Sequence, residues 1–97
     1  MMNRVIAALV AVGMLTVPAF AAAPSVEQRA EFYKTCMGIA QNDALCSCKA
    51  DAALKLVDGD FMAMVIASMK GKAPPAEQNV PYNDYIAKSN QICKPGY

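Results

Sequence analysis

The chain has 97 residues, with 9 basic and 8 acidic side chains, a net charge of +1 and no histidine. Without an excess of positive charge there is no basic surface to neutralise the phosphates of a nucleic acid. The lack of histidine removes the commonest general base and metal ligand. Composition therefore argues against nucleic-acid binding and against catalysis or metal binding that depends on histidine.

The first 21 residues have the organisation of a cleavable secretory signal. Arg4 supplies a positive charge, and residues 5–17 form an uncharged, mainly apolar run. Ala19-Phe20-Ala21 places small side chains at the two positions that a signal peptidase reads, so we expect cleavage after Ala21. Cleavage after Ala23 is less favourable, because Pro24 would follow the cut. The run is shorter than the roughly 20 apolar residues that a membrane anchor needs, so we expect an exported protein, periplasmic or secreted, without stable membrane insertion.

Signal removal leaves residues 22–97 as one small domain that needs covalent cross-links. Arg4 leaves with the signal, so the remaining basic residues equal the 8 acidic ones in number and the net charge becomes zero. A domain of this size buries barely enough apolar surface to offset the entropy of ordering the chain. All four cysteines lie in this domain. Because export places them in an oxidising compartment, we expect two disulfides.

Start and stop signals predict two helices in the first half of the domain. Ser25-Val26-Glu27-Gln28 has the form of a capping box, and apolar residues then recur at helical spacing to about Ala40. Asn42 and Asp43 can cap a second helix. Asp58-Gly59 should end that helix, with the glycine in a left-handed cap.

Two further helices are predicted in the second half. Asp60 is the predicted N-cap of a third helix over Phe61 to Lys70, ended by Gly71, and residues 72–80 form a loop containing Pro74-Pro75. Pro81 suits the first turn of a fourth helix. One face of that helix should carry Tyr82, Tyr85, Ile86, Ser89, Ile92 and Cys93. No stretch has the period-two pattern of a strand. The predicted fold is therefore all-α, a small bundle of about four helices with two disulfides.

The helical geometry constrains how the cysteines pair. At about 100° per residue, Cys46 and Cys48 leave their helix about 200° apart, so we expect them to bond different partners. Cys46 lies on the apolar stripe of the second helix and Cys93 on that of the fourth, which favours Cys46–Cys93. Cys48 would then pair with Cys36. The alternative pairing, Cys36–Cys46 with Cys48–Cys93, stays open.

The Cys46-Ser47-Cys48 segment also permits a second function. Two nearby thiolates could act in thiol-redox exchange, or they could bind Cu(I) with thioether ligands from Met62, Met64 or Met69. Without a C-x-x-C motif the redox pattern is weak. The methionines are simply explained as flexible core residues. We therefore expect structural disulfides, no cofactor, no metal and no enzymatic activity.

The cysteine spacing resembles a group of small exported proteins of Gram-negative bacteria. Their pattern is C-x9-C-x-C followed by a distant cysteine, which Cys36, Cys46, Cys48 and Cys93 match over most of the mature chain. The resemblance implies a helical hairpin with a C-terminal helix and a periplasmic address. It implies no activity.

A protein-binding module is the function that these observations favour, through an exposed helix face or the loop at residues 72–80. Met64 falls about 60° outside the main apolar stripe of the third helix, so the core need not bury it. With Ala67 it would widen the apolar surface, and Lys70 and Lys72 would rim it. These four residues are the predicted interface with another protein, unless the loop or Tyr97 covers them.

Overall fold

The computed structural model describes residues 22–94. In this range the chain forms four α-helices: α1 (Val26–Ala40), α2 (Asp43–Leu56), α3 (Gly59–Met69) and α4 (Asn79–Ile92). A 3-10 turn, Ala76–Gln78, leads into α4, and no strand occurs among the described residues. The predicted all-α fold with four helices is confirmed. The predicted signal segment and Tyr97 lie outside the described residues.

Side-chain caps and a tight turn shape α1 and α2 into a hairpin. The predicted capping box is present: Ser25 Oγ accepts from Gln28 N at 3.0 Å, and Gln28 Oε1 accepts from Ser25 N at 3.0 Å. At the start of α2, the side chain of Asn42 accepts from the backbone of Leu45. Only Gln41 and Asn42 separate the two helices, and Gln41 adopts a left-handed φ of 53°. So short a connection makes α1 and α2 antiparallel neighbours.

The start of α3 differs from the prediction. Its N-cap is Asp58, whose Oδ1 accepts from Phe61 N at 2.8 Å, and Gly59 is its first residue rather than a left-handed cap of α2. Gly59 instead packs closely against the N-terminal segment, and its N–H donates to Ala22 O at 2.8 Å. A Cβ at Gly59 would lie 3.3 Å from Gln28 Oε1. The N-terminal segment of the domain is thereby attached to the α2–α3 corner.

The other predicted boundaries agree more closely. Gly71, with a φ of +106°, follows α3 as expected. Pro81 lies in the first turn of α4, although that helix begins earlier than expected, at Asn79. The observed loop is therefore shorter than the predicted one, because the last residues of the predicted loop form the 3-10 turn and the start of α4.

The core is built from all four helices. It contains Phe32, Cys36, Cys46, Ala50, Ala53, Met62, Val65, Ile66 and Tyr85. Helix α1 packs on α2 and α3, whereas α4 packs on α2. Ser89 of α4 is fully buried, but Ile92, predicted on the same apolar face, is 54% exposed, so that part of the prediction is wrong. None of the helices between residues 22 and 94 combines the length and the hydropathy needed to cross a membrane.

Candidate functional site

The disulfides are Cys36–Cys46 and Cys48–Cys93, with Cα–Cα distances of 5.6 and 5.8 Å. The favoured prediction, Cys36–Cys48 with Cys46–Cys93, is wrong. The expectation that Cys46 and Cys48 bond different partners is confirmed. Two disulfides are typical of proteins outside the reducing cytoplasm, so the structure indicates a non-cytoplasmic compartment.

The hairpin geometry explains the observed pairing. Cys36 lies about one turn before the end of α1 and Cys46 about one turn after the start of α2, so the antiparallel helices bring them face to face. Cys48, about 200° further round α2, then reaches α4. The apolar stripe of α2 does not identify the partner of Cys46, because α2 packs against both α1 and α4.

The Cys-Ser-Cys segment is therefore divided between two bridges. Cys46 is fully buried, and no cysteine within residues 22–94 is free. In the same range, no three His, Cys, Asp or Glu side chains come close enough to hold a metal ion. Thiol exchange or Cu(I) binding at Cys46 and Cys48 would require both bridges to open.

Three of the four residues of the predicted interface line two different depressions. Ala67 and Lys70 line a groove of about 240 Å³ between α1 and α3, across which Lys70 Nζ pairs with Glu31 Oε2 at 2.5 Å. Met64 is half-buried and lines a separate depression of about 390 Å³ together with Pro75 of the loop. Lys72 is exposed. The loop thus flanks Met64, and Met64 lines a different depression from Ala67 and Lys70.

A third depression has a mainly apolar lining and was not predicted from the sequence. This cleft, here called the α1–α4 cleft, has a volume of about 340 Å³, which lies at the lower end of the range of about 300–1,000 Å³ seen for ligand sites. All four helices line it: Phe32, Cys36, Ile39, Leu45, Lys49, Val65, Met69, Tyr82, Tyr85, Ile86 and Ser89. It lies between α1 and α4, each of which packs mainly on other helices.

Part of the cleft wall is polar. The ammonium of half-buried Lys49 donates to Asn90 Oδ1, and burial lowers the pKa of Lys49. Burial also raises the pKa of Tyr85 to about 12. Ser89, one turn after Tyr85, partly offsets the rise in the pKa of Tyr85. The Oγ of Ser89 is nevertheless buried and forms no hydrogen bond of acceptable geometry with a described residue. A cation and an unsatisfied hydroxyl therefore line an otherwise apolar cleft.

Little in the sequence distinguishes these cleft residues. Ser89 stood out only as a polar residue on the apolar face of the fourth helix. Lys49 follows Cys48 directly and would be taken for an ordinary surface lysine of α2. The position of α4 against α2 brings Lys49 and Asn90 together, and that position depends on contacts distant in sequence.

Comparisons of this chain with family models, with curated proteins and with solved structures gave no match in any of the three.

Proposed function

We propose that residues 22–97 form a non-enzymatic periplasmic protein that binds another exported protein in the α1–α4 cleft. The cleft itself carries this proposal. It is an apolar concavity of about 340 Å³ with a few polar groups in its wall, and sites of that composition are typical of ligand and partner recognition. The periplasmic address is supported by the signal pattern of residues 1–21 together with the two disulfides.

The disulfides support the proposal by holding the cleft walls in place. Cys36, in the α1 wall, is bonded to α2, and Cys93 bonds the end of α4 to the same helix. Walls that are already ordered lose little conformational entropy when a partner binds. The cross-links therefore favour affinity as well as stability.

The rim of the cleft favours a protein partner. Ile39, near the end of α1, lines the cleft and is 62% exposed. Tyr82 and Ile86 of α4 are half-buried in the facing wall. Apolar side chains that remain accessible on both walls suit the insertion of an apolar helix face or an extended segment from a partner.

A photo-crosslinking amino acid at Ile39 tests the proposal in envelope extracts. We expect one discrete crosslinked protein, because Ile39 would contact the bound segment. The matched control is the same amino acid at Val26, which is 80% exposed on the same helix but does not line the cleft. A third variant at Met64 tests the surface predicted from the sequence.

The outcomes separate the two surfaces. A partner that is labelled from Ile39, but not from Val26 or Met64, supports binding in the cleft. Adding Leu45→Lys to the Ile39 variant should abolish that label, because it places a charge in the cleft wall. Labelling from Met64 alone would contradict the proposed site. No label from Ile39 at any partner concentration would contradict the proposed function.

A further inference from the structure

We infer that the group entering the α1–α4 cleft is a carboxylate on an apolar peptide segment, bound by the Lys49 ammonium and the Ser89 hydroxyl. This inference rests on the proposed function and specifies the chemistry of the partner. It follows from the hydrogen-bonding state of these two side chains and from the apolar wall that surrounds them.

Lys49 is the charged residue of the cleft lining, and no carboxylate among residues 22–94 pairs with it. Its ammonium donates to the amide oxygen of Asn90, which is neutral. The ion pairs among residues 22–94 use other cations: Arg29 with Asp51, Lys70 with Glu31, and Lys88 with Asp84. A half-buried ammonium without a counter-ion is a favourable position for an anion, because burial has already removed part of its hydration.

Ser89 supplies a second donor to the same cleft. Its side chain is fully buried, and its Oγ has no hydrogen-bond partner among the described residues. A buried hydroxyl left unsatisfied is unfavourable, so a ligand oxygen that accepts from it gains affinity. An ionised carboxylate has two oxygens and only accepts, which matches the two donors that line this cleft.

The rest of the cleft fixes the nature of the attached group. Phe32, Leu45, Val65 and Met69 present apolar surface beside the two donors. A carboxylate followed or flanked by large apolar side chains would bind the two donors and also cover the apolar surface. The exposed rim at Ile39 favours a peptide over a free fatty acid, since sites for small ligands normally enclose most of the ligand surface.

A titration of the mature protein with small probes tests the inference. N-acetyl-leucyl-leucyl-phenylalanine carries a terminal carboxylate, and its C-terminal amide is the neutral match. We expect the acid to bind up to about fivefold more tightly than the amide, as measured by amide chemical shifts in NMR spectra, because a partly exposed charge pair contributes a factor of this order. The shifts should map to residues of the cleft.

Substitutions identify the two donors. Lys49→Gln should remove the preference for the acid while the amide binds as before. The matched control is Lys55→Gln, an exposed lysine of the same helix that does not line the cleft. Ser89→Ala should weaken binding of the acid without lowering the thermal stability, because it removes an unsatisfied buried hydroxyl.

Three results would overturn the inference. They are equal affinity for acid and amide, an unchanged preference in Lys49→Gln, and tighter binding of octanoate than of the peptide acid, which would indicate a site for free fatty acids. None of them affects the crosslink from Ile39, so failure of this inference can be told apart from failure of the proposed function.

Discussion

The two disulfides should contribute unequally to stability, and variants with a single bridge can measure each contribution. Cys48→Ala with Cys93→Ala leaves only the short bridge, and Cys36→Ala with Cys46→Ala leaves only the long one. Each variant is compared with its own reduced form. The side chains are then the same in both states, so the cavities left by alanine cancel.

The magnitudes follow from the length of chain that each bridge closes. The sequence separations are 10 for Cys36–Cys46 and 45 for Cys48–Cys93. The chain-entropy relation gives about 2.7 kcal/mol for the short loop and about 4.0 kcal/mol for the long one at 25 °C. The long bridge thus contributes about 1 kcal/mol more, and its loss is large against the roughly 5–15 kcal/mol expected for a whole domain.

Thermal and urea unfolding, followed by circular dichroism with and without dithiothreitol, provides the measurement. Reduction should lower the free energy of unfolding more in the variant that retains Cys48–Cys93, and its melting temperature should fall by about 4–8 °C more than in the other variant. A larger effect of Cys36–Cys46 would refute the reasoning from loop length. It would show that the α1–α2 hairpin, rather than the attachment of α4, limits stability.

Three further outcomes are expected. Met62→Ala should destabilise the domain by about 2–5 kcal/mol, because Met62 is fully buried, and half-buried Met64→Ala should cost less than half as much in the same unfolding assay. Because burial raises the pKa of Tyr85 from 10.0 to about 12, stability present below pH 10 should decline toward pH 12, and Tyr85→Phe should reduce that decline. Mass spectrometry of exported protein should give a chain starting at Ala22, which preserves the bond from Gly59 N to Ala22 O; a start at Pro24 would contradict this.

Local sequence signals predicted the helices because the interactions that begin a helix span only three or four residues. The Ser25 capping box and the Asn42 cap are both present. The misplaced caps at Gly59 and Asp60 show the limit of such signals. Asp58 and Asp60 are both good N-cap residues, and the structure uses Asp58. The next residue, Gly59, donates its N–H to Ala22 O, and this contact spans more than thirty residues of the sequence.

The sequence alone determined that residues 22–94 form four helices and that Cys46 and Cys48 bond different partners, since both follow from signals and geometry local to each helix. Only the tertiary structure decided which cysteines pair and where a cleft opens. Those features depend on which side of α2 receives α4, and an apolar stripe shows that a face is buried without showing which helix buries it. The same placement brings Lys49 beside Asn90 and leaves little direct packing between α1 and α4.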